Sequence, residues 1–177
     1  MYSKFQNIET PFYYYDTALL EATLKAIRDE IKPYPHFHVH YAIKANANPR
    51  LLSIIQQAGF GVDCVSGGEI QVAINAHFPT NSIVYAGVGK SDKEIIIGLR
   101  NNIFCFNVES IPELEVINQL AVKENTIANV CLRINPDVSP HTHANIITGT
   151  AEHTSGIPLA GTEKAKWMAN SLPNNHN

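Results

Sequence analysis

The sequence has few charged residues, few cysteines and no long hydrophobic run, and each shortage excludes a class of protein. Charged residues make up 16% of the 177 residues and hydrophobic residues 45%, so the chain is not of the highly charged, disordered kind. Its 13 Lys and Arg residues do not exceed its 16 Asp and Glu residues, which predicts no basic surface for nucleic acid or an anionic membrane. We therefore expect a small-molecule partner.

The three cysteines, Cys64, Cys105 and Cys131, are odd in number and far apart in the sequence. This spacing fits neither a disulfide framework nor a zinc knuckle, and it predicts reduced, buried thiols. The N-terminal residues lack the apolar core of a signal peptide, and the longest apolar stretches fall far short of the ~20 residues that span a bilayer. These features predict a cytoplasmic protein with no membrane partner.

Strand-like and helix-like segments alternate at a regular interval. The predicted strands are 38–44, 61–65, 82–86, 103–107 and 128–134. Each gap holds a helix start, which is Asn48-Pro49 in the first gap and a serine followed three residues later by glutamate in the others: Ser66, Ser91 and Ser110. Repeated βα units predict parallel strands joined by right-handed crossovers. The pattern fits an open doubly wound sheet or part of a (β/α)8 barrel, which takes ~250 residues when complete.

The two ends of the chain differ from this pattern. Phe12–Tyr15 is predicted to form a short aromatic strand, and Asp16 or Thr17 to cap the helix that follows. Near the other end, a short helix is predicted over Glu163–Ser171, before a polar tail. The predicted domains are a strand-helix segment at 1–35, a partial α/β barrel at 36–160, and the helix and tail at 161–177.

Polar residues and a glycine follow the predicted strands, at the edge where both architectures bind ligands. Lys44 is a candidate nucleophile, because partial desolvation at the end of a core strand favours the free amine, which forms an imine with a carbonyl group. A solvated surface charge is the alternative interpretation of Lys44. Gly67 and Gly68 belong to a helix cap and also leave room for a ligand near the backbone. The other residues at strand ends are Asp63, Ser66, Gly87, Asn107, Glu109, Arg133 and Asn135.

Two further patterns suggest ligand sites, and their spacing argues against both. His36, His38 and His40 alternate on one face of a strand, about 6–7 Å apart, which is too wide for one tetrahedral metal ion. Gly87–Ser91 ends like a phosphate-binding loop, but Val84 stands where that motif requires its first glycine. No metal site is predicted, and nucleotide binding stays an alternative without a matching motif.

Four segments together resemble the pyridoxal-phosphate decarboxylases built on the alanine-racemase-type barrel, in the form typical of diaminopimelate decarboxylases. In chain order they are Tyr41–Asn46, Gly61–Glu69, Leu132–Val138, and the loop with Thr142-His143 and Thr148-Gly149. The resemblance implies an α/β fold that is an incomplete (β/α)8 TIM-type barrel of about five βα units. An N-terminal strand and helix precede the barrel in this prediction.

The resemblance also implies a site and a reaction. Lys44 would hold pyridoxal 5'-phosphate through its amine, Asp63 would lie near the cofactor and order the lysine, and Arg133 would face the substituents of the cofactor ring. The implied reaction converts meso-2,6-diaminopimelate to L-lysine and carbon dioxide, so the implied substrate is a small amino acid. The family's expected assembly is a homodimer, and its site holds no metal.

The sequence departs from the family after Gly149. Thr154-Ser155 stand where the family has Lys-Phe before Gly156-Ile157, and the family's glycine-rich phosphate loop and C-terminal β domain are not in this sequence. We therefore expect a portion of the enzyme that is inactive alone. The alternatives are another amino-acid or carboxy-polyamine decarboxylase of the same fold, a non-catalytic α/β binding module, or a chain without a stable fold.

Overall fold

The computed structural model describes residues 5–135 and 156–158. The chain divides into two compact units, Met1–Phe37 and His38–Asn177. The helix predicted at Glu163–Ser171 lies outside the described residues. None of the described helices has both the length and the apolar character that a membrane span requires.

The first unit contains one long helix, α1 (Thr17–Ile31). Of the two candidate caps Asp16 is the one used, since its Oδ1 accepts a hydrogen bond from the amide of Leu19 at 3.1 Å. No strand forms at Phe12–Tyr15, because no described strand pairs with this segment. Its aromatic rings pack locally instead, with Phe5 lying 5.3 Å from Phe12 between ring centroids.

The second unit is built on a parallel sheet of five strands in the order β1-β2-β3-β4-β5. The strands are β1 (His40–Ala42), β2 (Gly61–Cys64), β3 (Ile83–Tyr85), β4 (Cys105–Val108) and β5 (Val130–Leu132). The helices between them are α2 (Pro49–Gln57), α3 (Gly67–Asn75), α4 (Asp92–Arg100) and α5 (Ile111–Lys123). A doubly wound sheet reverses its strand order, whereas this order follows the chain throughout, as in a barrel. The predicted incomplete barrel is confirmed.

The predicted fifth strand is interrupted at Arg133. Beyond it, β6 (Ile134–Asn135) pairs in parallel with β7 (Ile157–Pro158). The amide of Ile157 donates to the carbonyl oxygen of Arg133 at 2.7 Å, so this short pair begins directly beside the fifth strand. The pairing joins residues separated by more than twenty positions, which the strand pattern did not predict.

The two faces of the sheet are buried to different extents. In β4, Phe106 and Val108 are buried against the helices while Cys105 and Asn107 are only half-buried, and in β2 the half-buried Asp63 lies between the buried Val62 and Cys64. Burial raises the pKa of Cys64 to about 12. Cys131, expected to be buried, is exposed because it aligns with Asn107 on the more open face.

Serine is the N-cap of three helices as predicted, at Ser66, Ser91 and Ser110, and the hydroxyls of Ser66 and Ser110 accept from the first turn. At Ser91 the Glu94 carboxylate accepts from both the amide, at 3.1 Å, and the hydroxyl, at 2.7 Å. In α3 and α5 the glutamate reaches one residue farther back, to the amide of Val65 or of Glu109, each at 2.8 Å. These carboxylates therefore fix the loop before the helix as well as its first turn.

At Gly98 the helix α4 packs so closely on the sheet that a side chain would meet its neighbours. A Cβ atom at this position would lie 2.7 Å from Cζ of the buried Phe106 ring. Overpacking costs about 1–3 kcal/mol, against a gain of about 1 kcal/mol in helix propensity. We predict that Gly98→Ala lowers the free energy of unfolding by about 1 kcal/mol in a urea titration, which is the middle of the difference between these two contributions. Gly89→Ala is the control, since a Cβ there meets no atom within 4 Å; equal stability of the two variants would contradict the packing.

Candidate active site

Lys44 lies just beyond the carboxyl end of β1, in a one-turn 3-10 helix, Ile43–Ala45. The Tyr41 hydroxyl donates to the carbonyl oxygen of Asn46 at 3.1 Å and holds this turn against the strand. Lys44 is exposed, and its amine makes no hydrogen bond or ion pair with the described residues. The expected partial desolvation is not observed, because the turn carries Lys44 past Ala42, the last paired residue of β1.

Asp63 lies in β2, in register with Ala42 of β1. Its Oδ1 is buried and has no hydrogen-bond partner in the described part of the chain. Burial raises the pKa of Asp63, while the nearby Lys44 and His40 act in the opposite direction and lower it. Asp63 therefore binds a proton more tightly than an ordinary aspartate, and it lies close enough to Lys44 for their charges to interact.

Arg133 follows β5, and its guanidinium is paired with Glu109 at the end of β4. Nη1 of Arg133 donates to Oε2 of Glu109 at 3.1 Å. The side chain of Glu109 is 2% exposed and that of Arg133 is 49% exposed. The other carboxylate oxygen of Glu109 accepts from the amide of Gly87 at 2.9 Å. The sequence placed Glu109 among the polar strand ends but gave no indication of its partner.

Lys90, from the segment that resembles a phosphate-binding loop, is a buried structural residue. Its side chain is 1% exposed and forms an ion pair with Glu113 at 2.6 Å. The same ammonium donates to the carbonyl oxygens of Gly87 and Asn107, each at 2.7 Å. All three protons are therefore used within the protein, which removes this lysine as a phosphate ligand and with it the nucleotide alternative for this loop.

The first of the two glycines at the start of α3 serves helix packing rather than ligand approach. The amide of Gly67 donates to Oε1 of Glu94 at 2.9 Å, and a Cβ at Gly67 would lie 2.9 Å from Cγ of Glu94. Hydrogen bonds from Gly67 and Ser91 hold the pKa of Glu94 below its usual range. The space predicted for a ligand is thus filled at Gly67, whereas Gly68 is exposed.

The three predicted site residues lie at the same edge of the sheet but do not form one contact cluster. Lys44 and Asp63 interact through their charges. Arg133 is separated from β2 by two strands, and its ion pair is with Glu109. Within the described ranges no group of His, Cys, Asp and Glu residues could hold a metal ion. The arrangement offers an unpaired amine, a buried carboxylate and an anchored guanidinium to a ligand.

The sequence matches one protein family over most of its length. The model of the family described as "Pyridoxal-dependent decarboxylase, pyridoxal binding domain" matches residues 18–174. Diaminopimelate decarboxylase from Bacteroides thetaiotaomicron is 59% identical over 171 residues, which cover 97% of this chain and 44% of that protein. The Aquifex aeolicus enzyme of the same name is 40% identical over 96% of this chain and 40% of its own length. The chain thus spans less than half the length of these relatives.

A solved structure matches the fold as well. The crystal structure of diaminopimelate decarboxylase from Helicobacter pylori complexed with L-lysine has a TM-score of 0.85 and 36% sequence identity. The match covers 96% of this chain and 43% of that protein. The resemblance found in the four sequence segments is confirmed, as is the expectation that the chain corresponds to a portion of such an enzyme.

The buried Lys90 gives a stability prediction. Lys90→Met leaves the Glu113 carboxylate and two carbonyl oxygens without their donor, and breaking a buried pair in this way costs about 3–5 kcal/mol. We expect the urea midpoint of the chain to fall accordingly. Lys25→Met is the matched control, because Lys25 pairs with Asp29 at the surface of α1, where both side chains are more than half exposed. Similar losses in the two variants would show that Lys90 is not buried as described.

Asp63 gives a pH-dependent prediction. A carboxyl whose pKa is raised on folding reduces stability above that raised value, and the cost disappears below the unfolded pKa of about 3.9. Asp63→Asn is therefore expected to raise the free energy of unfolding at pH 7, with the gain shrinking to nothing as the pH falls through this window. Urea titrations at several pH values measure it. A variant less stable than the parent at pH 7 would mean that the carboxylate has a stabilising partner.

Proposed function

The chain belongs to the pyridoxal-dependent decarboxylase family, and from this premise we propose that it carries the cofactor-binding part of a diaminopimelate decarboxylase. In this proposal Lys44 holds pyridoxal phosphate, and Asp63 and Arg133 contact it. The whole protein would convert meso-2,6-diaminopimelate to L-lysine and carbon dioxide. The lysine bound in the Helicobacter pylori enzyme supports a small amino acid as the ligand class.

The residues present fit pyridoxal phosphate. The aldehyde of the cofactor requires an amine that is not already bonded, and Lys44 makes no hydrogen bond or ion pair with the described residues. A polar ligand also supplies what the buried Oδ1 of Asp63 lacks, which is a donor. The half-exposed guanidinium of Arg133 has donors left beyond the one given to Glu109, and these suit an oxygen substituent of the ring. The observation that carries the proposal is the unpaired Lys44 amine beside the orphaned Asp63 oxygen.

Each residue has a defined task in the reaction. Lys44 binds the cofactor through Nζ, which must lose a proton before it can attach to a carbonyl carbon. Asp63 is suited to accept that proton at its carboxylate, because burial raises its pKa. Asp63 also orients the amine through its charge. Arg133 would orient the ring through the donors that its pair with Glu109 leaves free. Bound pyridoxal phosphate supplies the electron sink for the electron pair left when carbon dioxide departs.

Reductive trapping tests the role of Lys44. The chain is incubated with pyridoxal phosphate, reduced with borohydride and digested, and the labelled peptide is identified by mass spectrometry. We predict that the label lies mainly on Lys44 and is lost in Lys44→Arg, because arginine keeps the charge but provides no nucleophilic amine. Lys93→Arg is the control, since Lys93 is another exposed lysine in the described part of the chain. Label spread evenly over the exposed lysines would overturn the assignment.

A further inference from the structure

We propose that Glu109 is a positioning residue, which fixes the direction of the Arg133 guanidinium toward the cofactor. The inference rests on the proposed function and extends it to a residue outside the three predicted ones. It starts from the ion pair of 3.1 Å between a guanidinium that is half exposed and a carboxylate that is almost fully buried. Glu109 is buried and its carboxylate is paired with Arg133, so it would act through Arg133.

The carboxylate of Glu109 is held at both oxygens. Oε1 accepts from the amide of Gly87 at 2.9 Å, and Oε2 accepts from Nη1 of Arg133 at 3.1 Å. Gly87 has φ of +108°, a conformation that favours glycine, and a side chain there would be strained. The amide that faces Glu109 therefore depends on a backbone shape few other residues adopt. A carboxylate fixed in this way cannot turn to follow a moving guanidinium.

The backbone of Glu109 is anchored separately. Its amide donates to Oε2 of Glu113 at 2.8 Å, while Oε1 of Glu113 accepts from Lys90. Lys90 also donates to the carbonyl oxygen of Gly87. Glu113 holds the backbone of Glu109, and Lys90 holds both Glu113 and the Gly87 residue that bonds the Glu109 carboxylate. The position of Glu109 therefore does not depend on Arg133.

The backbone of Arg133 is fixed by hydrogen bonds, whereas its guanidinium is held by the ion pair with Glu109. Its amide donates to Val108 at 2.9 Å, and its carbonyl oxygen accepts from Ile157 at 2.7 Å. A Cβ at Gly156 would lie 3.3 Å from Cγ of Arg133, so the stem of the side chain passes close to that glycine. In the described part of the chain the guanidinium is paired with Glu109 and with no other carboxylate. The direction of its remaining donors is therefore set by Glu109.

A purely structural role is the competing interpretation, since any buried carboxylate that accepts hydrogen bonds at both oxygens stabilises its surroundings. The two roles differ in what they predict for Arg133. If Glu109 acts through Arg133, removing either residue weakens cofactor binding for the same reason, and the losses do not add. If Glu109 only stabilises the fold, the losses are independent.

Affinity for pyridoxal phosphate, measured by the change in its absorbance on binding, provides the first test. We expect Glu109→Gln and Arg133→Gln each to weaken binding about tenfold. The double variant should bind as well as Arg133→Gln, because substitutions in one hydrogen-bond network have non-additive effects. Glu124→Gln is the control, because it breaks another Glu–Arg pair, with Arg100, outside the proposed site; its affinity should equal that of the parent. Parent-like binding by Glu109→Gln, or losses that multiply in the double variant, would overturn the proposal.

A second measurement needs no cofactor. Rotation and solvent exchange of the Arg133 guanidinium, followed by 15N NMR, should be slow in the parent chain and fast in Glu109→Gln, with Arg100 as the internal reference. If the parent chain takes no label at Lys44, the proposed function fails, while the NMR comparison still decides whether Glu109 holds Arg133. Unchanged guanidinium motion in Glu109→Gln would overturn the positioning role even if the cofactor binds.

Discussion

Glutamates that accept hydrogen bonds from the backbone of the preceding βα unit hold the carboxyl edge of this sheet together. Glu94 receives the amide of Gly67, and Glu109 receives the amide of Gly87, each at 2.9 Å. A parallel strand ends with amides that no strand can pair, and a loop at the edge of the sheet would otherwise have to leave them to water. By crossing from one unit to the one before it, these carboxylates satisfy the amides and fix the spacing of neighbouring loops. Lys90 adds a cation to the same layer.

The polar residues that support the loops are fully hydrogen-bonded, whereas those of the candidate site are not. Lys90, Glu109 and Glu113 use their polar atoms within the protein, whereas the Lys44 amine and one oxygen of Asp63 have no hydrogen-bond partner in the described residues. A rigid support with unsatisfied groups placed on it is the arrangement expected of a binding site, since the support fixes geometry and the unsatisfied groups are available to a ligand. The charged residues at this edge of the sheet therefore fall into two groups. One group supports the loops, and the other is available to a ligand.

The sequence predicted features that depend on neighbouring residues and missed those that depend on distant ones. The serine caps and the alternation of strands with helices are local, and the structure shows them at the predicted places. The strand at Phe12–Tyr15 required a partner strand that the described residues do not provide. Likewise, the burial of Lys90, which precedes α4, depends on Glu113 in α5, and no pattern around Lys90 indicates that pair. The site was located through motifs, but the exposure of Lys44 and the role of Glu109 required coordinates.

Asp63 gives a physical reason to regard the site as functional rather than structural. A buried carboxylate oxygen without a donor costs free energy, and the charges of Lys44 and His40 offset this cost only in part, because the pKa of Asp63 stays raised. An asparagine or a small apolar residue in β2 would serve the sheet better, because the register with Ala42 and Val84 does not require a charge. A group that weakens the fold and lies near an unpaired amine is better explained by what it does with a ligand present. The proposed cofactor site accounts for this cost, whereas a binding module with no chemistry at Lys44 leaves it unexplained.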